Sequence, residues 1–206
     1  YRALADKAAT KDTSEEAALK EAINFAIMGQ NEKAVTLVMQ YLRDYRSGKL
    51  TETGEALLID LIPKEITRLV DERKYVEVLV LARKNRKLFA NNWIDIRLLS
   101  DLAESFSRLG IYQEAQRLYL YLIEILDEDN KEPYYLPLIK TIFTKGDFDL
   151  INDYATQYFF NYPKGKDTNE IKFYLLKSLF EEKKYEQALK QLPSPIPGDQ
   201  EFLLFL

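Results

Sequence analysis

Gly110-Ile111-Tyr112-Gln113-Glu114-Ala115 is the stretch that decides how this chain folds, because its skeleton returns four more times. Gly29-x-Asn31-x-x-Ala34, Arg73-x-Tyr75-x-x-Val78, Gly146-x-Phe148-x-x-Ile151 and Lys183-x-Tyr185-x-x-Ala188 repeat its order of residues. The leading positions lie 44, 37, 36 and 37 residues apart. A period of this size marks a solenoid of stacked helical hairpins, each burying its apolar face against the next. The physical logic is local. Glycine at the turn permits a left-handed or closely approached backbone. The large residue two places on (Tyr75, Tyr112, Phe148, Tyr185) starts the second helix and wedges into the hairpin, and the small residue after it (Ala34, Ala115, Ala188) lets helices pack closely.

Working outward, helices are expected on both sides of each turn. Thr13 and Glu16 have capping-box spacing for a helix running to about Met28, and Val35, Val38, Met39 and Leu42 fall three and four apart in its partner, 31–45. The long first step is assigned to residues 46–58, where Ser47-Gly48 and Thr53-Gly54 read as breakers. Pro63 predicts a kink or a fresh start inside the following helix, 55–71, so stacking is expected to be irregular between the first two hairpins. The return helix is expected over 76–89. Asn92 with Asp95 caps a helix to Leu109, and 113–126 returns. The fourth pair is 133–144 and 150–162, stopped by Pro163 and Gly165. Asp167 with Glu170 opens the fifth, to Glu182, whose return helix is cut short by Pro193, Pro195 and Pro197. No stretch alternates as a strand would, so the chain reads as all-α. The units are 15–48, 59–92, 96–129, 132–165 and 169–192. Residues 1–14 form a lead-in helix or linker, and 193–206 a proline-rich turn with the truncated first helix of a further unit or cap.

Composition narrows the chemistry. The 206 residues contain no histidine and no cysteine. That removes the commonest general base and metal ligand, together with thiolate, zinc-thiolate and disulfide chemistry. The carboxylates Asp127-Glu128-Asp129 and Asp147-x-Asp149 lack the spacing of a calcium loop. No catalytic, cofactor or metal site is therefore expected. A net charge of -4 argues against a nucleic-acid groove, and the densest basic run, Arg83-Lys84-Asn85-Arg86-Lys87, reads as the solvated face of an outer helix. No apolar run is long enough to span a bilayer. The chain opens on Tyr1 rather than Met and stops inside Phe202-Leu203-Leu204-Phe205-Leu206. It therefore reads as a segment of a longer protein, and its composition suits a bacterial envelope protein beyond its anchor as well as a cytoplasmic scaffold. Self-association through the truncated end is expected.

The repeated residues resemble the tetratricopeptide repeat family, whose unit is a helix-turn-helix of about 34 residues. Leu102, Ala103, Phe106, Gly110, Tyr112, Ala115 and Tyr119 match its pattern. So do Ala22, Phe25, Gly29 and Ala34 in the first unit, Gly146, Phe148 and Pro163 in the fourth, and Leu175, Tyr185 and Ala188 in the fifth. The resemblance departs at Arg73, Val78 and Ile151, and the family's first-helix tryptophan is absent, the single Trp93 standing before the third unit. It implies a right-handed superhelix whose first helices line a concave groove for an extended peptide or a partner helix. Carried over to that groove are Arg97, Ser100, Glu104, Arg108, Leu136, Lys140, Phe143, Phe173, Lys177 and Phe180. The subgroup that grips a terminal carboxylate with paired Lys and Asn is set aside, because Leu19 and Ile23 stand at the equivalent positions.

The function expected from this is a non-catalytic protein-interaction scaffold. Phe143, Phe173 and Phe180 beside Lys140 and Lys177 would clasp an apolar segment carrying acidic residues. The plain alternative makes those phenylalanines core between repeats. Two other classes stand behind it: a recruiting arm of a larger enzyme with its catalytic domain elsewhere, and a helical-repeat RNA binder. The last is disfavoured because equivalent groove positions vary, as Ser100, Leu136 and Phe173 show.

Overall fold

The computed structural model describes residues 11–90 and 95–191, and among these all regular structure is helical. The lead-in residues 1–10, Asn92, Trp93, Leu192, Pro193, Pro195, Pro197 and the apolar run 202–206 lie outside the described residues. The chain divides into two compact units, Tyr1–Asp101 and Leu102–Leu206. The first holds α1 (Lys11–Ile27), α2 (Asn31–Asp44), α3 (Thr51–Asp71), α4 (Tyr75–Lys84) and α5 (Arg86–Ala90). Helix α6 (Ile96–Arg108) carries the boundary. The second unit continues with α7 (Tyr112–Ile125), α8 (Glu128–Lys145), α9 (Phe148–Asn161), α10 (Thr168–Glu181) and α11 (Tyr185–Gln191). Consecutive helices pack as hairpins, α1 on α2 to α4 in the first unit and α7 on α8 to α11 in the second, and α8 also packs on α10.

Every leading position of the repeated pattern occupies the left-handed region: Gly29 at φ 71°, Arg73 at 59°, Gly110 at 76°, Gly146 at 89° and Lys183 at 60°. Each donates its N–H three residues back, and the next residue donates five back. For Gly110 these bonds are Gly110 N–H to Ser107 O (3.1 Å) and Ile111 N–H to Phe106 O (2.9 Å). The pairs Gly29/Gln30, Arg73/Lys74, Gly146/Asp147 and Lys183/Lys184 repeat them. This is the Schellman closure, which satisfies carbonyls left orphaned at a helix end. Helices α2, α4, α7, α9 and α11 then begin two residues later, at Asn31, Tyr75, Tyr112, Phe148 and Tyr185. The pattern's last position is wholly buried in four hairpins, at Ala34, Val78, Ala115 and Ile151.

Several expectations about boundaries are corrected. Thr13 lies inside α1 rather than at its cap, and Asp167 precedes α10 without a capping side-chain bond, while the Thr168 hydroxyl donates back to the loop carbonyl of Gly165 (2.7 Å). Asp95 does act at the start of α6, accepting from the Arg97 N–H at 2.9 Å. Pro63 starts no new helix, since α3 runs through it. Losing one backbone bond to proline costs about 3 kcal/mol. The flanking Leu58, Leu61, Ile62, Ile66 and Leu69 are all buried, each contributing roughly 1.5–3 kcal/mol, and burial wins. Helix α8 likewise spans Pro133 and Pro137 and starts a turn earlier than expected, at Glu128. The return helix expected over 76–89 is two helices, α4 and α5, divided at Asn85. Gly54 is no breaker. It is buried within α3, where a Cβ would stand 2.9 Å from the Tyr41 ring, so glycine there lets α3 approach α2. The extra length of the first step therefore sits in α3, which has 21 residues against 14 in α10.

A second, longer repeat relates the loops Tyr45-Arg46-Ser47-Gly48-Lys49-Leu50-Thr51 and Tyr162-Pro163-Lys164-Gly165-Lys166-Asp167-Thr168. In the first, the buried Glu15 accepts from the Tyr41 hydroxyl (2.7 Å) and the Leu50 N–H (2.8 Å). In the second, Glu132 accepts from the Tyr158 hydroxyl (3.0 Å) and the Lys166 N–H (3.1 Å). A side chain at Gly48 or Gly165 would overlap these groups. Each latch ties the first helix of a hairpin, its second helix and the following loop together. Burial first, and then the neighbouring carboxylate, pushes the Tyr41 phenol well above its ordinary range. Burial likewise raises Tyr119, Tyr135, Tyr158 and Tyr162.

Two outcomes follow from this architecture. Gly110→Ala should lower stability by about 1 kcal/mol through the left-handed backbone alone, because the nearest atom to the new Cβ is 4.0 Å away. Lys183→Gly should raise it by roughly 0.5–1 kcal/mol. Urea unfolding midpoints check both signs. Stability should also be level up to about pH 9 and fall above about pH 10, where the unfolded chain releases phenolic protons that the folded chain holds. Urea midpoints across that range, with phenolate absorbance, measure the loss.

Candidate functional site

Helices α8 and α10 occupy the same place in successive hairpins, and 37 residues separate Leu136 from Phe173, Lys140 from Lys177 and Phe143 from Phe180. Their packing brings four of the predicted residues together. Lys177 Nζ stands 5.2 Å from the Phe143 ring centre and 5.6 Å from that of Phe173. Lys140 Nζ stands 5.9 Å from the Tyr174 ring and 2.5 Å from Glu170 Oε1. Tyr174 joins the rings, meeting Phe143 edge-on at 5.4 Å and Phe173 at 5.6 Å, while Phe148 extends the row from Phe143 at 5.3 Å. Phe143, Phe173 and Tyr174 are half-buried.

The two lysines are not in equivalent states. Lys140 is ion-paired with Glu170, whereas Lys177 has no ion pair among the described residues and rests on ring faces. Such contacts contribute about 0.5–1 kcal/mol each at exposed sites, and they leave the ammonium's three donors available. The arrangement is an apolar strip with a cation beside it.

The other predicted residues lie elsewhere. Leu136 is buried, 9% exposed, and belongs to the core of α8. Phe180 is 52% exposed and pairs with Tyr185 (5.2 Å) at the last hairpin turn. Arg97 is exposed in the first turn of α6, Ser100 is half-buried, and Arg108 Nε pairs with Glu104 at 3.3 Å. Tyr174 and Glu170 were not foreseen. Nothing in the repeat announces Tyr174, whose equivalents in the preceding hairpins are Pro137 and Asp101.

No established family profile matches the chain, and no curated protein matches it in sequence. Solved structures do. MamA of AMB-1, in a P212121 crystal form, superposes with a TM-score of 0.56 at 15% identity, over 88% of this chain and 89% of that one. A Podosopora anserina protein of the kinesin light chain kind, with nearly identical TPR-like repeats, superposes with a TM-score of 0.50 at 14% identity, over 85% of this chain and 90% of that one. The fold is a TPR-like helical repeat. Among the described residues no helix is long and apolar enough to cross a membrane, and no cluster of His, Cys, Asp or Glu could hold a metal ion.

Core and surface positions within the α8–α10 pair should separate on substitution. Leu136→Ala should cost about 2–4 kcal/mol and Lys177→Gln no more than about 1 kcal/mol, as read by urea unfolding of both variants.

Proposed function

We propose that this chain is a non-catalytic scaffold that holds an apolar segment carrying acidic residues across α8 and α10. The observation that carries this reading is Lys177, a cation seated on the Phe143 and Phe173 rings with no carboxylate partner among the described residues. A core aromatic cluster has no need of a lysine in that position. A recognition strip does, because the rings supply apolar area and the ammonium selects for a carboxylate. Tyr174 widens the strip, and the Lys140–Glu170 pair fixes its rim. TPR-like folds suit this role, since each hairpin is held by its neighbours and leaves outward side chains to vary.

Selection of a random peptide library on the immobilised protein tests the reading. Enrichment of Phe, Leu or Ile beside Asp or Glu is expected, with binding of the selected peptides falling roughly ten-fold, about 1.4 kcal/mol, in K177Q and F173A. Selected peptides without acidic residues, or binding untouched by both substitutions, would sink it.

A further inference from the structure

The basic run at the end of α4 departs from the repeat in a way that hairpin packing does not explain. In the first and fourth hairpins the position twelve residues beyond the left-handed residue is Tyr41 or Tyr158, and the helix continues past it. In the second it is Asn85, buried, with its Nδ2 donating to Leu81 O (2.9 Å) and the chain breaking there into α5. The break leaves Arg83, Lys84, Arg86 and Lys87 together and exposed.

These cations lack the partners that others in the same unit have. Lys20, Lys64, Arg68 and Lys74 are each ion-paired, while the four have no ion pair among the described residues. No carboxylate occurs between Glu77 and Asp95 in a chain with 33 acidic residues. The helix dipole accounts for Arg83 and Lys84, at the C-terminal end of α4, but Arg86 and Lys87 open α5, where a cation is disfavoured. Val76 and Val80, 57% and 45% exposed, precede Lys84 at four-residue spacing on the face of α4. That face borders a cleft of about 550 Å³ against α2 and α3, lined by Met39, Leu81 and Lys84 and, toward its other end, by Glu32, Glu65 and Glu77 with Arg68 and Lys74.

We propose that α4 and the start of α5 form a docking surface for an acidic amphipathic segment of a partner protein. Val76 and Val80 take its apolar side chains, and Arg83, Lys84, Arg86 and Lys87 take the carboxylates that follow. The chemistry favours a protein segment over a nucleic acid or an anionic bilayer. The chain's net charge of -4 repels an extended polyanion, whereas a short segment feels mainly charges within about 8 Å at physiological salt. Two exposed valines add nothing to phosphate binding.

Fluorescence anisotropy on the whole chain tests this with a labelled helical peptide carrying two leucines four residues apart followed by a run of glutamates. Saturable, salt-sensitive binding is expected. It should weaken roughly ten-fold or more in R83Q/K84Q/R86Q/K87Q and several-fold in V76S/V80S, with circular dichroism showing both variants folded. Equal binding of a glutamine analogue of the peptide would overturn the proposal, as would no binding at all. So would tighter binding of single-stranded DNA or phosphatidylserine vesicles that V76S/V80S leaves untouched. Binding that survives the quadruple substitution and is lost in K140Q/K177Q would move the peptide to α8 and α10 and overturn this assignment.

Discussion

One backbone conformation, a single left-handed residue closing each first helix, is what the rest of the structure depends on. It returns two N–H groups to carbonyls at the helix end and aims the chain so that the second helix starts two residues later. Only then can Ala34, Val78, Ala115 and Ile151 reach the hairpin interface without exposed area. Geometry takes precedence over residue type here. Arg73 and Lys183 adopt the same conformation as the three glycines, at roughly 1–2 kcal/mol of steric cost to a side-chain-bearing residue. At Arg73 the complete burial of Val78 offsets that cost; at Lys183 the following Ala188 is only half-buried, and the cost stands.

The same rule governs length. Helix α3 exceeds α10 by seven residues, 21 against 14, which is close to two turns at 3.6 residues per turn. An insertion of whole turns returns side chains to their original face, so Leu58, Leu61, Ile62 and Ile66 stay buried together. A loop insertion would have had to detach the Glu15–Tyr41 latch, whose acceptor also holds the Leu50 N–H. The latch and the long helix are thus linked: the loop is pinned, and the extra chain goes where the helical period can absorb it.

Much of the fold was legible because hairpin closure is local. Five patterned turns located five left-handed residues and five helix starts. What misled were residues whose usual local meaning is reversed by tertiary contact. Pro63 read as a kink or a fresh start and Pro133 as a helix start, yet α3 and α8 run through them, held by apolar neighbours on both sides. Gly54 read as a breaker, yet it serves close approach to Tyr41. The loop repeat of Tyr45–Thr51 and Tyr162–Thr168 is visible in the letters, but its meaning lies in Glu15 and Glu132, about thirty residues upstream. The strip on α8 and α10 was half legible. Equivalent spacing paired Lys140 with Lys177, but Tyr174 and Glu170 enter through the packing of one helix on another, which a single period does not encode.

The distribution of side-chain chemistry follows from this division. The seam positions of the hairpins are tied to the backbone and are filled by Ala, Val or Ile, and four of the five second helices start at Tyr or Phe. Outward positions carry no such tie, and they differ sharply between equivalent places, as Glu104, Lys140 and Lys177 show. Equivalent lysines can then take opposite roles. Lys140 is neutralised by Glu170, while Lys177, one hairpin on, rests on two rings and has no ion pair among the described residues. Under the function proposed above, a carboxylate from the partner would give Lys177 the pairing that Glu170 gives Lys140.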